Sequence, residues 1–90
     1  MDDLGAPISY LTLEEGVPVY ASDEAKVGKV GRILADFELD VFEGIVIETH
    51  VLPPTSRYLD AEHIAELHER GVVLGIDSET VDGLPNRPPA

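Results

Sequence analysis

"KVGKVGRILAD", Lys26 to Asp36, gathers three of the chain's six cationic residues and two of its glycines into seven positions of an otherwise acidic protein. A phosphate cradle, a nucleic-acid stripe and a β-strand with a solvated face all use such letters, so the reading of this stretch decides the fold. Strand alternation puts Val30 and Leu34 on one face and Ile33, Ala35 and Phe37 on the other, and both sets are apolar. One extra residue near Gly31-Arg32 resolves the conflict, because a β-bulge flips the parity and glycine is common where one forms. Val30, Ile33 and Ala35 then share the core face. Lys29 and Arg32 are left on solvent, where they can pair with the surrounding carboxylates.

The phosphate readings fail on detail. A P-loop needs G-x-x-x-x-G-K-[ST] ahead of a helix and a dinucleotide fingerprint needs G-x-G-x-x-G, whereas Gly28 and Gly31 supply only G-x-x-G, followed by "RILADF" with no helical period. The backbone-clamping G-x-x-G loop of KH domains sits between two helices, and no helical pattern flanks this one.

Outward from this strand, "VPVYAS" (17–22), "FEGIVIETHV" (42–51), "SRYLD" (56–60) and "VVLGI" (72–76) are short, rich in Val, Ile and Tyr, and bounded by turn formers, so each reads as a strand. Pro18 cannot donate a ladder hydrogen bond, which puts the first strand at an edge or makes it enter the sheet at that residue. The links "SDEA", "ELDV" and "LPPTS" have meander length. "DAEHIAELHERG" breaks the pattern. Asp60 as N-cap, Glu62 in the first turn, Arg70 in the last and Gly71 as stop predict a short helix between Ala61 and Arg70, with Ile64, Leu67 and His68 along one face. In "DSETVDGLP", Asp77 or Ser78 caps a single turn that buries Val81 and Leu84. The expected fold is mainly β, a small antiparallel β-barrel of five to six strands with one short α-helix.

Ninety residues make one domain, and 43% hydrophobic content suits a folded globule. Residues 1–7, broken by Gly5 and Pro7, read as a flexible segment, residues 8–85 as the domain, and residues 86–90 as a Pro-rich tail. A net charge of −12 repels nucleic acid and anionic lipid surfaces at long range. There is no cysteine, which excludes disulfides, thiolate catalysis and Cys-based zinc sites. No apolar run approaches the ~20 residues of a membrane helix and no secretory leader is legible, so the expected setting is cytoplasmic.

From Leu11 to Pro85 the chain resembles a PRC-barrel domain, the small β-barrel found in the photosynthetic reaction-centre H subunit and in a ribosome maturation factor. The likeness rests on Gly28-Lys29-Val30 followed by Ile33-Leu34 and Asp36, then Gly44-Ile45-Val46-Ile47, then "RYLDAEHIAEL" and the closing "GVVLGIDSETVDGLP". Asp60 stands where members of the family often carry proline. The resemblance implies a non-catalytic module that docks onto protein surfaces. The partner domain and membrane anchor of those two proteins have no counterpart in this chain, so their specific roles do not transfer.

Candidate chemistry is sparse. His63 and His68 are five residues apart, about 500° around a helix, where helical metal ligands need i, i+3 or i, i+4. Asp36, Glu38, Asp40 and Glu43 echo the start of a calcium loop, but Val41 takes its glycine position and Ile47 its final glutamate, so they read as a solvated turn with only adventitious Ca²⁺ or Mg²⁺ binding in view. Serines 9, 22, 56 and 78 lack a nucleophile-elbow context. No enzyme, metal or cofactor is expected.

The leading expectation is an acidic interaction module that binds itself or another protein through an exposed sheet face or edge. Its candidate surface is Tyr20, Lys29, Arg32, Val46, Glu48, His50 and Tyr58. In the third strand Ile45, Ile47 and Val51 form one apolar row while Val46, Glu48 and His50 point the other way, and small domains with spare apolar surface gain stability as two-fold dimers. The rival is a barrel that holds a small molecule at a mouth near Tyr20, Tyr58 and His50. Barrels of this size usually fill their interiors with side chains, which favours the first.

Overall fold

The computed structural model describes residues 3–49 and 55–88. His50 and Val51 lie outside the described residues. Among the described residues six strands form one sheet: β1 (Pro18–Tyr20), β2 (Lys26–Asp36), β3 (Val41–Glu48), β4 (Ser56–Asp60), β5 (Ile64–His68) and β6 (Gly71–Leu74), followed by an α-helix, α1 (Ser78–Asp82). Two 3-10 turns, Tyr10–Thr12 and Ala61–His63, precede β1 and join β4 to β5. No helix among the described residues is long and apolar enough to cross a membrane.

The spatial order is β4-β3-β2-β1-β6-β5. β1 to β4 make an antiparallel meander, and the β5–β6 hairpin returns so that β6 pairs with β1 in parallel. The sheet is therefore mixed rather than antiparallel throughout. β4 and β5 stand at opposite edges and share no ladder among the described residues, so the sheet is not closed into a barrel. It must nevertheless curl strongly. Five strand spacings in a flat sheet would part its edges by about 24 Å, whereas the four Cα steps from Asp60 to Ile64 reach at most about 15 Å.

Bulges supply that curvature, since each raises the local twist. The ladder between β2 and β3 shifts register between Val30 and Arg32, at Gly31, and again between Leu34 and Ala35. The first shift is the parity break expected from the opening stretch. Val30 lies opposite Ile47 and Ile33 opposite Ile45 on the core side, while Lys29 faces Glu48 and Arg32 faces Val46 on the outer side. Pro18 opens β1 at the centre of the sheet, consistent with the second of the two placements open to it.

The segment Ala61–Arg70 corrects the expected helix. Asp60 accepts from the Glu62 N–H as an N-cap, but the His63 ring takes up the Asp60 N–H and the backbone turns extended at Ile64. β5 begins there, with a register shift between Ile64 and Glu66 that sets Ile64 opposite Leu74 and Leu67 opposite Val72. A bulged strand thus gives the i, i+3 apolar spacing of a helix. The short α-helix lies later, at α1, where the Asp77 carboxylate accepts from the Thr80 N–H at 2.8 Å and Val81 is buried.

The core joins Leu13, Val19, Val30, Ile45, Ile47, Leu59, Val72, Leu74 and Val81, so every strand except β5 places a fully buried side chain in it. Terminal segments line the outer edges. Along β5, the Ile8 N–H donates to the Leu67 carbonyl and the Arg70 N–H to that of Leu4, and on β4 the Tyr58 N–H donates to the Pro85 carbonyl.

Candidate functional site

The outward face of β2–β4 collects most of the residues singled out in the sequence. Arg32, Val46 and Tyr58 form one cross-strand row, and Lys29, Glu48 and Ser56 the next. Tyr20 stands farther along this face on β1, opposite Lys26 and beyond the Pro18–Lys29 pair. The row is less open than its sequence suggests. Lys29 Nζ lies 3.9 Å from the Glu48 carboxylate, Val46 and Tyr20 are half-buried, and Tyr58 is only 8% exposed. Its ring lies over Gly44 and its hydroxyl donates to the Glu43 carbonyl at 3.1 Å. Burial, followed by the nearby charges of Asp60 and Glu43, raises the Tyr58 pKa.

Beside Tyr58 opens a cleft of about 640 Å³, lined by Leu34, Phe42 and Tyr58 together with Glu43, Asp60 and Glu62. Phe42 connects this cleft to the β2–β3 turn. There Phe37 (67% exposed), Leu39 (73%) and Val41 (46%) project into solvent, as does Leu11 (59%) of the first 3-10 turn. Tyr10 stacks on Phe42, at 5.2 Å, and on Phe37, at 6.3 Å, and its hydroxyl donates to Asp40. That hydrogen bond, reinforced by the charge of Asp40, raises the Tyr10 pKa. The Asp36 carboxylate accepts from the N–H groups of Glu38 and Leu39, both at 3.1 Å, which holds the turn.

This apolar turn was not among the expected site residues. Its signal was present in "DFELDVF", where Phe37, Leu39 and Val41 alternate with acids across a turn that needs no apolar side chain. Asp36 and Asp40, which echoed a calcium loop, instead accept hydrogen bonds from the turn and from Tyr10. Among the described residues no three His, Asp or Glu side chains gather as a metal site.

The remaining shifted groups serve local ties. The Asp77 carboxyl is held low by its Thr80 hydrogen bonds, and Asp23 by the Ser78 hydroxyl. His68 is pushed up by its hydrogen bonds to Glu66 and to the Gly5 carbonyl. None of these three lines the cleft. The chain matches no known family model, and no curated protein is significantly similar to it.

Proposed function

We propose that this chain is a non-catalytic, PRC-barrel-like interaction module of the cytoplasm that binds another protein, or a second copy of itself. The observation that carries the reading is the β2–β3 turn, where three large apolar side chains stand in solvent on one hairpin of a 9.7 kDa domain. Single exposed apolar residues are ordinary, but three within the five residues 37–41 of one turn on a small domain mark a contact surface. The curled sheet and the sequence likeness to PRC-barrel domains support the same reading. The outward row from Lys29 and Arg32 to Val46 supplies a polar flank. A photoreactive phenylalanine analogue at Leu39 should form a covalent protein adduct in native extract that disappears when Phe37 is also changed to Ser. Equal adducts from an analogue at Glu79, on α1, would overturn the assignment.

A second reading, a small-molecule site, is favoured by the cleft between Phe42 and Tyr58. A ligand present at 100 times its Kd should add about 2.7 kcal/mol of stability. A thermal-shift screen with Tyr58→Leu as control tests it.

A further inference from the structure

We infer that the β2–β3 end docks a cationic amphipathic polypeptide segment, one whose leucine-like side chains are flanked by Lys or Arg. This rests on the reading of the chain as a protein-binding module and adds the chemical class of the partner. Two independent features of the hairpin end support it.

The first is preorganisation. Tyr10 stacks on both Phe37 and Phe42 and is tied to Asp40, and the Asp36 carboxylate holds the turn by accepting from two N–H groups. Phe37 and Leu39 are therefore presented on a braced loop, and ordering it on binding costs little entropy. The second is charge. Residues 33–47 contain Asp36, Glu38, Asp40 and Glu43 and no Lys or Arg, and Glu14 and Glu15 follow the 3-10 turn that carries Tyr10. The cleft that continues from Phe42 adds Asp60 and Glu62. Of the cations, Lys29 lies beside Glu48, Arg57 on Asn86 and Arg70 beside Glu69, while Arg32, opposite Val46, flanks the end along the sheet face. An apolar knob ringed by carboxylates complements apolar side chains ringed by cations, and complementary charge speeds encounter and rejects partners of like sign. A second copy of the chain presents the same negative end, and nucleic acid and anionic membranes are repelled by it.

The test uses the full chain, isotope-labelled for amide NMR, and three synthetic amphipathic helical peptides of equal length built from Leu with Lys, Leu with Gln and Leu with Glu. The Leu-Lys peptide should shift the amides of Tyr10–Thr12 and of residues 36–42, bind less tightly as salt rises, and lose about ten-fold in affinity in the Phe37→Ala/Leu39→Ala variant. Both side chains are solvent-exposed, so the core keeps its fold although the Phe37–Tyr10 stacking is lost, and unchanged core amides verify this. Equal binding of the Leu-Gln peptide at the hairpin overturns the cationic class while leaving the docking end in place. Shifts scattered over the acidic surface that survive the double substitution, or no hairpin shift with any peptide, overturn the docking end itself. Phosphatidylserine vesicles should leave the spectrum unchanged; vesicle-induced hairpin shifts would replace the polypeptide with a membrane.

Discussion

The backbone carbonyl of Glu48 occupies the space that a Cβ on Gly28 would need, and the side chain of the same glutamate lies over Gly31, with Oε1 3.0 Å from the corresponding point there. The glycine pair in "GKVG" therefore serves strand packing, with Lys29 between them closing on the Glu48 carboxylate. The two glycines differ in what they meet. Backbone cannot give way, whereas an exposed carboxylate can rotate. Gly28→Ala should destabilise the fold by about 1–3 kcal/mol, in the range of overpacked sites, and Gly31→Ala by less than about 1 kcal/mol. Urea denaturation of the two variants checks the order, and a Gly31→Ala more damaging than Gly28→Ala would contradict it.

The ring of His68 donates in two directions only when protonated. The Gly5 carbonyl accepts from Nδ1 at 2.9 Å and the Glu66 carboxylate pairs with Nε2 at 2.8 Å, which raises the pKa above its ordinary 6.5. A group whose folded pKa is raised contributes stability that is fully present below 6.5 and lost as the pH climbs through the folded value. The charge of Asp3 adds to the same direction and burial opposes it. The N-terminal strap along β5 should therefore loosen as the pH rises from 6.5 through the raised folded-state value. Hydrogen exchange at Ile8 and Arg70, corrected for its intrinsic pH dependence, should show that loosening, and His68→Gln should abolish it. A pH-independent strap in the unmodified chain would refute the role of this histidine.

Core and proposed contact surface are separable by substitution. Ile45 is fully buried between Ile33 and Leu59, so Ile45→Ala should cost about 2–5 kcal/mol. Leu39 is largely in solvent, and Leu39→Ala should stay within about 0.5 kcal/mol of the parent. Chemical denaturation distinguishes the two. A large loss from Leu39→Ala would mean that the hairpin end supports the fold instead of serving a partner.

The same device explains what the sequence disclosed and what it hid. Between Val30 and Ile33 the odd apolar spacing came with Gly31 and a run of β-formers, so a bulged strand was legible. Between Ile64 and Leu67 the same spacing came with a cap at Asp60, charged residues and a stop at Gly71, all of which suit a helix. What decided for strand was pairing with β6, a tertiary contact that no local signal carries. The parallel union of β1 with β6 is likewise non-local. The hairpin end was hidden for a related reason. Tyr10 and Phe42 are far apart in sequence, and only their stacking shows that "DFELDVF" is a braced surface rather than a solvated turn.

Self-association is confined to two surfaces. Strand-edge pairing is obstructed, because Leu4–Ile8 lies along β5 and Pro85 takes up a β4 amide. A second copy must then meet the apolar hairpin end or the outward row around Val46. Each copy carries −12, so close approach is opposed until salt screens it, with a Debye length of about 10 Å at 0.1 M and about 3 Å at 1 M. The chain should sediment as a monomer in dilute buffer and shift toward a two-fold dimer at high protein and salt concentration. Phe37→Ser/Leu39→Ser should remove that shift. A dimer that survives the double change but is lost in Val46→Lys moves the contact to the sheet face, and a monomer mass under every condition rules out self-association.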